Sequence, residues 1–104
     1  MAARLRGPVY RTSDAKKLRD WFNAVDYTTE IRAGRLHLIR VYRQPVAYDF
    51  LGGTGLSVRE DIVDGQNNLV ASVHFYVNSK KESGPPDPKV LWHENATWVL
   101  DSTE

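Results

Sequence analysis

The sequence contains no cysteine, one methionine and no apolar run close to the length of a membrane-crossing helix. The missing cysteines exclude a disulfide framework, a thiolate metal site and a thiol nucleophile, so stability has to come from packing. A spanning helix needs about 20 consecutive apolar residues, and the opening MAARLRGPVYRTSD has no apolar segment after its arginines. The chain is therefore expected to be cytoplasmic, to have no membrane partner and to leave the Asn95-Ala96-Thr97 sequon without sugar. No glycine-flanked serine marks a nucleophile elbow. LGGTGLS, residues 51–57, has no lysine after its last glycine and leads into a strand pattern, so it reads as a flexible connection rather than a phosphate loop. His37, His74 and His93 fall in three separate strand patterns without metal-ligand spacing, so no metal and no cofactor are expected.

What the sequence does contain is an ordinary globular composition over 104 residues, with 41% hydrophobic and 26% charged residues, which fits one domain, 1–104. The net charge of +1 hides an asymmetry. Residues 1–43 carry ten Lys and Arg against four Asp and Glu, and residues 44–104 carry four against nine. A basic half is the usual footprint of phosphate binding, and an acidic half suits a basic partner or simply pairs with the first half on folding.

Ala15, Leu18, Phe22 and Val25 recur at spacings of three and four, with Trp21 beside them. This predicts one helix, capped by Thr12 or Ser13 and carrying Asp14 in its first turn. Everything after Asp26 reads as strand. YTTEIR and RLHLIRVYR flank an Ala33-Gly34 turn, Gln44-Pro45 stops the second of them, and VAYDF is a short third strand. LSVREDIV and LVASVHFYV meet at Asp64-Gly65. In the latter, Leu69, Ala71, Val73, Phe75 and Val77 alternate with Val70, Ser72, His74 and Tyr76. SKKESGPPDPK is a loop. KVLWH and TWVL pair across Glu94, Asn95 and Ala96, with Trp92 and Trp98 both turned to the core and His93 turned away from Trp92. The fold class is α+β: one N-terminal helix on a curved, mostly antiparallel sheet of about five to seven strands.

Two candidate surfaces follow. Arg32, Arg35, Arg40, Tyr42 and Arg43 concentrate on one expected hairpin, and Tyr76 lies on the polar face of the best strand, a mixture suited to phosphates and unpaired bases. The plainer alternative pairs those arginines with Asp49, Glu60 and Asp61. Glu60, Asp61 and Asp64, with loop 79–89, form an acidic surface able to imitate nucleic-acid phosphates toward a basic protein. For catalysis, a metal-free ribonuclease needs a base, an acid and a cation. His74, His93 and Glu94, with Arg40 or Arg43, are residues of the right kinds.

The run LSVREDIVDGQNNLVASVHFYV, then a loop, then KVLWHENATW, resembles the C-terminal part of TumE-like toxins of bacterial toxin–antitoxin systems. The matching positions are His74, Phe75 and Tyr76, then Leu91, Trp92, Glu94, Asn95 and Ala96. Glu94 stands where the family has aspartate, and Thr97-Trp98-Val99 replaces its Pro-His-His. The resemblance implies a small toxin acting on RNA and neutralised by a partner. The residues themselves favour a non-catalytic binding module, an inhibitor or regulator that meets nucleic-acid machinery through a protein-binding or nucleic-acid-mimicking surface. A protein partner is expected, with nucleic acid as a second partner through the basic half. The alternative is the toxin-like, metal-independent ribonuclease.

Overall fold

The computed structural model describes residues 3–101, the side chain of Asp49 excepted. Their order is β1 (Val9–Thr12), α1 (Ala15–Asn23), α2 (Tyr27–Arg32), β2 (Leu36–Tyr48), a 3-10 turn at Asp49–Leu51, β3 (Gly53–Asp64), β4 (Leu69–Val77), β5 (Asp87–His93) and β6 (Ala96–Leu100). The fold is α+β. Six strands form one open, mixed sheet in the order β1-β6-β5-β4-β3-β2, antiparallel throughout except where β1 runs parallel to β6.

One cross-strand row organises the sheet. Leu38, Ile62, Ala71, Leu91, Trp98 and Tyr10 are register partners in succession from β2 to β1. Its centre, Ile62, Ala71 and Leu91, is buried beneath Leu18 of α1 and Tyr27 of α2, while its ends on the two edge strands are exposed. Side chains alternate along a strand, so this row assigns a helix side and a helix-free side to its neighbours. Trp21 extends the core outward, stacked on His93 with ring centroids 3.9 Å apart and edge-on to Trp98.

Residues 27–32 correct the sequence reading: YTTEIR is a helix. Asp26 caps it, its carboxylate accepting from the Thr29 amide and the Thr29 hydroxyl, which holds the carboxyl below its ordinary range. Tyr27 and Ile31, one turn apart, both face the core. Burial there raises the Tyr27 phenol to about 12. Ala33-Gly34 is consequently a helix terminus. Gly34, at φ +79°, donates to the Ile31 carbonyl while the Arg35 amide donates to Glu30, the paired bonds of a Schellman ending. In α1 the cap is Asp14, whose carboxylate accepts from the Lys17 amide, and Thr12 in turn accepts from the Asp14 amide.

Two strand readings also change. Pro45 does not end β2, which runs on to Tyr48 and absorbs VAYDF's first residues; as an edge strand it tolerates a residue without an amide hydrogen. The β5–β6 turn has two residues, Glu94 and Asn95, at φ +51° and +62°, rather than three. His93 then faces Ala96 and Trp92 faces Thr97, which puts Trp92 on the opposite side of the sheet from Trp98. Trp98 joins the core cluster, and Trp92 lies under the Arg6 guanidinium at 4.0 Å.

Leu18 is 0% exposed and sits over the central row. Leu18→Ala should lower the unfolding free energy by about 2–5 kcal/mol, read as a lower urea midpoint with an unchanged slope.

Candidate nucleic-acid interface

The helix-free side of β3, β4 and β5 carries a linked polar network. Ser57, Arg59 and Asp61 alternate along β3, in register with Tyr76, His74 and Ser72 on β4. The Arg59 Nε–H donates to Ser72 Oγ at 3.0 Å, and the Ser72 hydroxyl donates to Asp61 at 2.6 Å. Ser57 Oγ and His74 Nε2 share a hydrogen bond of 2.6 Å. Ser57 and Ser72 are buried, and Arg59, Asp61 and His74 half-buried.

A bulge adds a second cation. Val73 pairs with Pro88 and Ser72 with Val90, so Lys89 is the unpaired extra residue of β5. Lys89 and Arg59 both act on His74, whose pKa lies below its ordinary 6.5 through burial first and then these two charges, against a weaker pull from Asp87. Arg59 and Lys89 also line a cleft of about 510 Å³ with Val90, Val99 and Asp101.

Next to His74 stands an aromatic group. Tyr76 meets the His74 ring edge-on at 4.8 Å, and Tyr48 and Phe50 at 5.7 and 5.4 Å. Phe50 stacks on Tyr48 at 5.3 Å, with 12° between the planes, yet is 69% exposed. Burial, Tyr48 and Tyr42 together raise the Tyr76 phenol above its ordinary range. At about 3.3 Å per residue, two positions along β4 put the aromatic group some 7 Å from the His74–Arg59 row. That is of the order of the distance from a nucleotide base to its phosphate. The arrangement can stack a planar ring at one end and neutralise an anion at the other.

The residues expected from the sequence divide over this frame. Tyr76 and His74 belong to the network, and Tyr42 is in register with Arg59 on the same row. Arg32 and Arg35 are not on a hairpin: they end and follow α2, with Arg35 in a two-pronged bond to Glu30. Arg40 and Arg43 line a hollow on the helix side. His93, stacked on Trp21 of α1 and 3.5 Å from Glu94, lies across the sheet from His74. The structure therefore does not assemble His74, His93 and Glu94 into one acid–base group.

The acidic residues are engaged individually. Glu60, its side chain 13% exposed, pairs with Arg40 at 3.7 Å. Asp61 belongs to the serine network. Asp64 accepts from the Gln66 and Asn68 amides and the Asn68 side chain in the β3–β4 turn, which lowers its pKa. Of the plainer ion pairs expected for the arginines, Arg40–Glu60 is present; the Asp49 side chain lies outside the described residues. Among the described residues no three His, Asp or Glu side chains form a metal-binding group, and no helix is long and apolar enough to cross a membrane.

Ser57, Arg59, Ser72, Lys89, Tyr48 and Phe50 were missed from sequence. The period-two run of Ser57, Arg59 and Asp61 was the available signal for three of the network's members, whereas Lys89 depends on a bulge without a local mark. Comparisons of the chain with models of protein families, with curated proteins and with solved structures find no match.

The lowered pKa of His74 fixes a pH dependence. As pH falls below 6.5 the unfolded chain takes up a proton first, so stability is lost from there down to the folded-state value. His74→Gln should remove this part of the stability loss between pH 7.5 and pH 5, on the order of that window. Urea unfolding at both pH values, with an NMR titration of the ring, checks it.

Proposed function

We propose that the protein is a binding module for single-stranded nucleic acid, held on the helix-free side of the sheet. The observation that carries this reading is Phe50, stacked on Tyr48, edge-on to Tyr76 and largely exposed, with Tyr76 in turn against the His74 ring on which Arg59 and Lys89 act. An exposed ring supported from behind offers a face to a base, and only an unpaired base has a free face to return. The cations take the phosphates. The site draws on residues 48–89, so the expected nucleic-acid contact moves from the basic half of the chain to its centre. The nucleic-acid-mimicking alternative loses support because Glu60, Asp61 and Asp64 are each engaged within the fold.

A second reading, the metal-independent ribonuclease implied by the TumE-like resemblance, rests on His74. A histidine kept neutral beside two cations is suited to accept the 2′-hydroxyl proton while Arg59 and Lys89 neutralise the phosphate. Here His74 acts without His93 and Glu94, which face the other way.

Labelled single-stranded RNA and DNA oligonucleotides and a duplex, titrated at low and moderate salt, separate these readings. The binding module should hold both single strands more tightly than the duplex. Phe50→Ala should cost about 1–3 kcal/mol of binding, and Lys89→Ala should reduce the salt slope by about one. Binding to neither single strand at low salt overturns the proposal. Cleavage of RNA but not of its 2′-deoxy counterpart, abolished by His74→Ala, replaces it with the ribonuclease.

A further inference from the structure

On the helix side, α1 packs against β5 and β6 and α2 against β2, so the part of β3 and β4 toward the β2–β3 connection lies between the helices, with Val58 and Val73 buried and Phe75 half-buried. Two hollows adjoin there and share Phe75 and Ser83. The first, about 530 Å³, has an apolar floor including Leu56, Val58 and Val77, and Arg40, Arg43 and Lys81 among its lining residues. The second, about 460 Å³, continues over Val73 toward Phe22 and Ile31, with Glu60 and Asp26 as its charged members. Arg43 and Lys81 line the first hollow only, Arg40 meets Glu60 where the two hollows join, and Asp26 lies in the second. Arg43 and Lys81 make no ion pair among the described residues, and Arg40 has only the 3.7 Å contact to Glu60. From Arg43 to Leu38 along β2 is about 16 Å at 3.3 Å per residue.

We propose that this groove binds a small amphiphilic monoanion, with an acyl-like apolar body and a single carboxylate head. The head lies between Arg43 and Lys81, and the body follows Leu56 and Phe75 toward Leu38 and Ile31. Charge complementarity selects this occupant. Arg43 and Lys81 neutralise one anion, and the far hollow, with Asp26 and a Glu60 already paired to Arg40, offers no cation for a second, which disfavours an acidic peptide with charges along its length. Volumes of several hundred Å³ are those of small-molecule sites, and Leu56, Phe75 and Val77 give the first hollow apolar surface between its polar residues. Guanidinium groups suit the head because they bind carboxylates in two-pronged fashion. The site is on the opposite side of the sheet from His74 and Arg59, so it stands or falls independently of the cations of the nucleic-acid reading.

The test uses the full chain, with dodecanoate titrated calorimetrically and dodecanol as its uncharged counterpart. The expected result is one saturable site for dodecanoate, at least tenfold tighter than dodecanol. The Arg43→Ala, Lys81→Ala double variant should weaken dodecanoate tenfold or more and leave dodecanol unchanged; both positions are exposed, so the fold is retained. Arg11→Ala, on edge strand β1 at the opposite end of the sheet from β2, should leave dodecanoate binding unchanged. No saturable dodecanoate binding, equal affinity for both probes, or a double variant that binds as the parent does overturns the proposal.

Discussion

Everything else in this protein depends on the row Leu38–Ile62–Ala71–Leu91–Trp98–Tyr10 staying in register beneath Leu18. A slip of one residue in any strand would transfer that strand's apolar members to the helix-free side and its polar members into the core. The polar network is a consequence of this constraint. Ser72 and His74 face away from the helices because Ala71 and Val73 face them, and Arg59 and Asp61 do so because Ile62 and Glu60 do not. No separate device is needed to gather the network on one surface. It is the complement of the core.

Bulges then modify what alternation alone would give. Lys89 is the extra residue of β5, and its charge joins that of Arg59 beside His74. In β2 the register shifts between Arg40 and Tyr42, so that Arg40 pairs with Glu60 and Tyr42 with Arg59. Without that shift Arg43 would not return to the helix side. In β4 the shift opposite Ile62 and Val63 leaves Val70 over, which packs against the core cluster although strict alternation with Ser72 would turn it outward. Long edge strands invite pairing with other chains; bulges, charges and proline all discourage it. β2 has a bulge at Val41, arginines at 40 and 43, and Pro45.

The legible part of the sequence was the part with long, regular periods. α1, β4, the Asp64-Gly65 turn and the antiparallel tendency all follow from spacing. α2 was misread because Thr28, Thr29 and Ile31 are β-branched, and propensity over six residues is weaker than an aspartate cap at one end, a glycine ending at the other and two core anchors between. VLWHENATWVL shows how one residue decides a face. A three-residue turn would set Trp92 opposite Trp98 and bury both on one side. The two-residue turn sets them on opposite sides and presses His93 against Trp21. Glutamate and asparagine at positive φ give no clear signal of which turn forms, and the disputed catalytic role of His93 turned on that choice. The arginines between 32 and 43 looked like one surface only while residues 27–32 were taken for a strand.

His74 would couple the sheet's stability to the anion binding proposed above. Burial and the neighbouring Arg59 and Lys89 make its proton costly to hold. An anion seated at those cations cancels part of that cost and raises the histidine's pKa toward its ordinary value. By linkage, the same anion then binds more tightly as pH falls through that range, whereas the unliganded fold weakens there. The two dependences run in opposite directions for a single reason. The charge that disfavours the imidazolium is the charge that would hold the phosphate. A merely structural histidine, set in a face whose cations are paired for other purposes, would show the loss of stability without the gain in affinity.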